Sequence, residues 1–319
     1  MTQRIFLQFL VLCVIAMGCS HTPAPTKTSE ENADSHSATE RKPATTPALP
    51  KALKKRVLVI PFINKSGLGG EELSESATAH TKELVSNTED LLLVPNEDIE
   101  GHESFISEDK KHDLGNILSK AKSYGIAGVI TGAIEELGIR ERGEEVGFFR
   151  TRYHTVAATV QLALYDVASE KDLINKKTTA EITEEHTQFF SGSSSDRYDA
   201  ARGKTAVTKA IDKVLVGLAS YAKRMAWAGR IAKVDWHRYY INVGEKTGIS
   251  RGQLLGVYGE GQPVFDQETN VLIGITSGNF KGVLKVIDYF GQDGTVAVVH
   301  SGGGFKERDR VELYRPPQN

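Results

Sequence analysis

The chain has 319 residues, with 39 Lys and Arg against 41 Asp and Glu, a formal net charge of −2. That balance argues against broad electrostatic nucleic-acid binding, which needs clustered cations. Both cysteines, Cys13 and Cys19, precede residue 20, so no disulfide framework is available to the rest of the chain and stability has to come from a buried core.

Residues 1–18 have the three parts of an export signal. Arg4 supplies the charge, Ile5–Ile15 is apolar apart from Gln8, and the small residues Ala16 and Gly18 follow, with Met17 between them. Eleven residues are too few to span a bilayer, which takes roughly 20, but they suit a secretory leader. Cys19 stands at the cut position, and the segment resembles the lipobox of bacterial lipoproteins. That resemblance implies a diacylglyceryl thioether on Cys19, cleavage before it, and acylation of the new amine; beyond this covalent lipid no cofactor is expected. Residues 19–54 are then a lipidated tether. Ser20–Pro50 holds five of the ten prolines and no Val, Ile, Leu or Phe before Leu49, so it has too little apolar surface to offset its ordering entropy. About 30 such residues reach roughly 30 Å on average. Ser20, where aspartate would signal inner-membrane retention in enteric-type sorting, favours the outer membrane, with the protein on its periplasmic face.

Residues 55–227 read as an α+β unit, a mixed sheet with packed helices. Val57, Leu58, Val59 and Ile60 form a continuous apolar run, the pattern of a strand buried on both faces. The spacing predicts helices over Glu71–Val85 and Asp113–Tyr124, and strands over Leu91–Val94, Ala127–Leu137, Val156–Val167 and Leu173–Thr183. One long helix is expected from about Arg197 to Trp227, with Ser193, Ser194, Ser195 and Asp196 as N-cap candidates. Residues 228–316 read as a small all-β barrel. Short strands at Gly229–Val234, Tyr239–Val243, Leu254–Gly259, Gly282–Asp288, Thr295–Val299 and Arg310–Tyr314 alternate with glycine-rich turns. An internal echo links Gly248-Ile249, leading to Tyr258, with Gly304-Phe305, leading to Tyr314; in each the apolar residue is expected to plug a barrel end.

On the segments Val57–Asn64, Tyr124–Gly132 and Val160–Asp166, the first unit resembles the curli secretion-channel lipoprotein family (CsgG-like) and, more loosely, the N-terminal domain of TolB. On Gly229–Asp235, Tyr240–Gly244, Gly248–Tyr258 and Gly304–Tyr314, the second resembles the C-terminal domain of flagellar assembly protein T, an SH3-like β fold. The first resemblance implies a homo-oligomer, and in its channel-forming members two hairpins per subunit enter the outer membrane. Here the first candidate hairpin, Glu135–Thr155, carries Arg140, Glu141, Arg142, Glu144, Glu145, Arg150 and Arg152. Charges facing lipid cost ~2–4 kcal/mol each near the midplane. The second, Ile182–Arg197, is short and polar. A hairpin that protrudes toward a neighbouring subunit fits this composition better than a pore.

The remaining chemistry-bearing patterns point away from catalysis. Gly203-Lys204-Thr205 ends like a phosphate-binding loop, but Tyr198 stands where the first glycine belongs. Gly67-Leu68-Gly69-Gly70 lies between strand and helix, yet Glu72 replaces the third glycine of a dinucleotide fingerprint and Glu71 and Glu72 put negative charge where a pyrophosphate would sit. His80, His102, His112, His154, His186, His237 and His300 show no zinc-ligand spacing, and there is no hydrolase elbow or zincin motif. No catalytic, cofactor or metal residue is therefore assigned. The aromatic–basic run Trp236, Arg238, Tyr239 and Tyr240 is the candidate partner contact, because such residues anchor interfaces.

These readings converge on a non-catalytic assembly or scaffold component of an envelope machine, flagellar or secretory, held to the membrane by lipid and bound to protein partners but not to nucleic acid. The alternatives are a curli-type channel subunit and an activator of a cell-wall synthesis enzyme.

Overall fold

The computed structural model describes residues 53–146, 149–188, 199–259, 261, 263–276 and 278–315. Cys19, the tether and the Ser193–Asp196 cap candidates lie outside them. The first described strand, β1 (Lys55–Val59), is followed by β2 (Ile63–Asn64), β3 (Leu91–Val94), β4 (Gly128–Val146), β5 (Phe149–Asp166) and β6 (Lys171–Gln188). They form one mixed sheet in the order β3-β1-β4-β5-β6, with β2 alongside β4. β1 runs parallel to both β3 and β4 (Val57 opposite Leu93, Leu58 opposite Val129). The β4–β5 and β5–β6 pairs are antiparallel.

The apolar run of β1 is buried on both faces. Val57 and Val59 enter the core beneath α1 (Gly70–Ser86), α3 (Ala200–Leu215) and α4 (Leu218–Arg224), among Leu73, Val207 and Ile211. Leu58 and Ile60 face the opposite core, under α2 (Leu114–Ser123), with Phe105, Ile117 and Ala121. α2 starts where its sequence provides a cap, the Asp113 carboxylate accepting from Asn116 N at 3.1 Å.

The expected single helix over 197–227 is two. Gly217 adopts φ +83°, and the exposed Val216 before it has left helical geometry at ψ 121°. The apolar stripe (Val214, Leu215, Leu218, Ala222) stays buried because the left-handed glycine turns α4 back onto the same core. Asp199 caps α3, accepting from Ala201 N (2.9 Å) and Arg202 N (3.4 Å).

From Gly229 the chain is all strand. β7 (Gly229–Asp235), β8 (Arg238–Ile241), β9 (Leu254–Tyr258), β12 (Phe280–Phe290), β13 (Gly294–Gly302) and β14 (Arg310–Leu313) close a six-stranded barrel in the order β12-β13-β8-β7-β14-β9. β10 (Pro263–Phe265) and β11 (Leu272–Ile275) pair only with each other and form a hairpin outside it. The barrel has its own core of Ile231, Ile241, Leu255, Val257, Leu284 and Val311. Ile249 and Phe305, the two plugs of the internal echo, both lie in that core. Sheet and barrel belong to one compact unit.

Candidate functional site

Three features present chemistry to the surroundings: a β-ribbon, the outer wall of the barrel, and the joint where barrel meets sheet.

The ribbon is longer than the sequence periodicity indicates. β4, β5 and β6 stay in register well past the core, from Ile139 opposite Val156 to Val146 opposite Phe149, and from Val156 opposite Ile182 to Arg150 opposite Gln188. Ile139 and Ile182 pack against the helix-covered core, and beyond them Arg140, Arg142 and Thr183 are exposed. Arg140–Val146 is seven residues, so at about 3.4 Å each the ribbon projects roughly 20 Å past the core. Threonine pairs tie its inner part together: Thr159–Thr179 and Thr155–Thr183 hydroxyls are each 2.9 Å apart. Among the described residues no strand pairs with the outer edge of β6. Lys213 of α3 donates to the Thr179 carbonyl there at 3.0 Å, a lysine guard of the kind that keeps an open edge from indiscriminate pairing. The first hairpin expected from sequence, Glu135–Thr155, is the β4–β5 tip of this ribbon. The second begins in β6, and residues 189–198 lie outside the described set.

On the barrel wall, strand alternation divides the aromatic–basic run. Trp236 sits at the β7–β8 tip with φ +53° and 90% of its surface exposed. Arg238 is exposed, and the half-buried Tyr240 packs edge-on against Phe290 at 5.2 Å. Tyr239 points inward, 9% exposed, edge-on to Phe305 at 5.4 Å. As a candidate contact Tyr239 is therefore corrected to a core residue; Trp236, Arg238 and Tyr240 remain outside. A second aromatic group escaped the sequence reading: Tyr258 and Tyr314 flank Phe280, whose ring stacks on that of Tyr314 at 6.2 Å and 19°. The β10–β11 hairpin beside it exposes Val264, Phe265, Val271 and Ile273.

The joint is built from the residues that enter the sheet. Leu53 is 8% exposed within the barrel core, Lys54 N donates to Thr247 O of the barrel at 3.0 Å, and Lys55 N donates to Asp90 O of the sheet at 2.8 Å. Arg56 Nη1 donates to two carbonyls, Tyr124 O at the end of α2 (2.9 Å) and Asn242 O just past β8 (3.0 Å). Asn242 Nδ2 donates to the same Tyr124 carbonyl at 2.8 Å, and Asn242 Oδ1 accepts from Arg230 N at 2.8 Å. Burial pulls the Arg56 guanidinium below its usual range, against the attraction of Asp293 and then Asp98. A cavity of about 380 Å³ opens beside this joint, lined by the end of α2, by Val167 and Ala168 after β5, and by β7, β9 and β14.

The motif readings resolve structurally. Lys204 lies on α3 and pairs with Glu72 of α1 at 2.6 Å, and Gly67–Gly70 is the turn into α1. Among the described residues no group of three His, Cys, Asp or Glu is placed to hold a metal. No helix there is long and apolar enough to cross a membrane.

His112 supplies a pH response. Its Nε2 donates to Pro61 O at 3.0 Å. Burial pushes its imidazole below the ordinary value, the Pro61 bond opposes this, and the charge of Lys65 adds to it. The unfolded chain therefore takes up a proton just below pH ~6.5 that the folded chain refuses. Stability is full above that pH and falls as pH drops toward the folded value. Equilibrium denaturation at stepped pH should show part of this slope vanish in His112→Gln; an unchanged slope would assign it to other groups.

No family model matches the chain, and no curated protein matches it. Among solved structures it is similar to lipoprotein GNA1162 from Neisseria meningitidis, at 14% identity over 51% of this chain and 99% of that one, TM-score 0.30. It is also similar to the PelC dodecamer from Paraburkholderia phytofirmans (18% identity, 55% and 94%, TM-score 0.28). A third is the LpoB C-terminal domain from Salmonella enterica (15% identity, 40% and 83%, TM-score 0.28). At scores of this size the likeness fixes neither the fold nor the function of this chain.

Proposed function

We propose that this chain is an exported lipoprotein, lipidated on Cys19 and held at the periplasmic face of the outer membrane, that acts as a non-catalytic assembly component of an envelope machine. Residues 55–227 form its CsgG/TolB-N-like part and self-associate through the ribbon. Residues 228–316 form its SH3-like part, of the flagellar assembly protein T kind, and engage a protein partner through the barrel wall. The observation that carries the reading is the β4–β6 ribbon, a regular sheet carried roughly 20 Å beyond the helix-covered core and ending in an edge with no strand beside it among the described residues. A ribbon of that kind is stable when something else completes its edge or face. The leader ending at Cys19 supports the anchor, and the near-neutral charge supports protein rather than nucleic-acid partners.

The channel alternative uses the same ribbon. Its outgoing arm beyond the core, Arg140–Val146, has seven residues where a membrane strand takes roughly 9–11, and Arg140 and Arg142 stand on it. The activator alternative shares the anchor and the partner contact, and differs in whom the barrel meets.

One set of measurements tests the reading. Cys19→Ser should remove the lipid mass and move the protein from the membrane fraction to the soluble one. Replacing residues 141–153 by a tight turn should reduce the oligomer to monomer in native mass spectrometry with melting unchanged. Wild-type protein in liposomes should show no ion conductance. Conductance would transfer the reading to the channel, and a wild-type monomer would remove self-association.

A further inference from the structure

The cavity at the joint has no part in the assembly reading above. Its about 380 Å³ lies within the range of small-molecule sites. Its charged lining residues come with partners. Lys122 Nζ is 3.1 Å from Glu170, Arg310 is bound by Glu312, and Arg230 Nη1 donates to Arg308 O at 2.7 Å. An anion approaching Lys122 or Arg310 would have to displace Glu170 or Glu312 from it. A hydroxyl group does not have that conflict, because it donates to the carboxylate and accepts from the cation of one ion pair at the same time. The wall beside the Arg310–Glu312 pair is Tyr258, whose ring continues into Phe280 and Tyr314. Much of the remaining wall is bare backbone at Gly125, Gly259 and Gly278. Two ion-paired cations, an aromatic wall and open backbone together suit a ligand that is hydroxyl-rich at its edge and apolar on its face.

We infer that this cavity is a binding site for a neutral saccharide of one or two rings, its ring face against Tyr258 and its hydroxyls bridging Arg310 to Glu312. The site is independent of the lipid anchor and of the ribbon, so it stands or falls separately from the proposed function. Arg310 agrees with a polar occupant: it lines the cavity, and its buried Nε has no hydrogen-bond partner among the described residues, so it offers a donor to a sugar oxygen.

Isothermal titration and saturation-transfer NMR of the full-length protein with N,N′-diacetylchitobiose, cellobiose and maltose test the site. At least one should bind saturably with a Kd of about 1 mM or tighter. Tyr258→Leu and Glu312→Gln should each weaken that binding about tenfold, while Lys204→Ala, on α3 and outside the cavity lining, should leave it unchanged. The melting temperature of each variant separates loss of the site from loss of the fold. Three silent disaccharides would overturn the inference. So would binding unmoved by both cavity variants in folded protein, or saturable binding of inorganic phosphate in place of sugar.

Discussion

Replacing Arg56 by methionine is expected to destabilise the protein by about 3 kcal/mol, among the largest losses available to a single side chain that touches no ligand. Methionine fills most of the volume, so the loss isolates the guanidinium. That group donates to Tyr124 O and Asn242 O, two carbonyls 118 residues apart in the chain. Without it the Tyr124 carbonyl keeps only the Asn242 side chain, and the Asn242 carbonyl loses the donor that ties it to the sheet. A buried carbonyl left without a donor costs about 1–3 kcal/mol. Burial lowers the Arg56 pKa, yet an arginine starts so high that it keeps its charge at any pH in ordinary use. The loss should therefore be the same at pH 6 and pH 8, unlike the His112 effect. At about 2–4 °C per kcal/mol for a chain of this size, the melting temperature should fall by about 6–12 °C. A fall of less than about 2 °C would mean that water replaces the guanidinium freely and that the joint is wetter than its geometry implies. Asn242→Ala should lower stability in the same direction. The double variant should lose less than the sum, because both side chains meet on one carbonyl.

Gly282→Ala should be more damaging, at about 4 kcal/mol, and it should act on the barrel first. Gly282 of β12 lies opposite Gly302 of β13. Its φ is +148°, a backbone state that L side chains rarely adopt, and an added Cβ would lie 2.2 Å from Ser301 O and 2.7 Å from Gly302 Cα. Both are main-chain atoms of the paired strand, so no side-chain rotation relieves the overlap. The β12–β13 ladder would have to part, and the barrel would open at its longest pairing. The barrel core is distinct from the two cores of the sheet. Denaturant unfolding should therefore split, with near-ultraviolet signals of Tyr239 and Phe305 lost at lower denaturant than the helical signal. Gly138→Ala is the control, because nothing lies within 4 Å of a Cβ there. Its cost should stay within about 0.5 kcal/mol. Equal losses for the two variants would show that the close approach at Gly282 is not what holds the barrel shut.

The sequence carries much of this architecture, for identifiable reasons. A run such as Val57–Ile60 has no polar member, so it predicts burial on both faces, and the structure splits it between two cores. Asp113 announces α2, and the glycine turns mark the barrel strands. Where periodicity is weak the reading falls short. β2 has two residues and no pattern to show. The outer halves of β4, β5 and β6 are charged and threonine-rich, so nothing in them marks a strand that continues because its neighbour does. The stripe from Val207 to Met225 runs on through Gly217, which hides the break between α3 and α4. The β10–β11 hairpin exposes its apolar residues, contrary to the pattern from which strands are recognised. Of the aromatic–basic run, Trp236, Arg238 and Tyr240 lie outside the barrel and Tyr239 inside it, because a strand sends adjacent side chains to two faces where the sequence presents them as one run. The joint at Arg56 and the cavity beside it depend on contacts across 68 and 186 residues, which no local pattern records.

The way the chain enters the fold has a mechanical consequence. Leu53 is seated in the barrel, and three residues later Arg56 is seated between barrel and sheet within β1, a strand flanked by β3 on one side and β4 on the other. Tension applied from the N-terminal direction, as by a tether to a fixed surface, would first meet the Leu53 side chain and then load β1 along its length. The hydrogen bonds to both neighbours would bear that load together in shear instead of peeling one at a time, so drag on the body would be resisted by a strand paired on both sides and buried along its inner half.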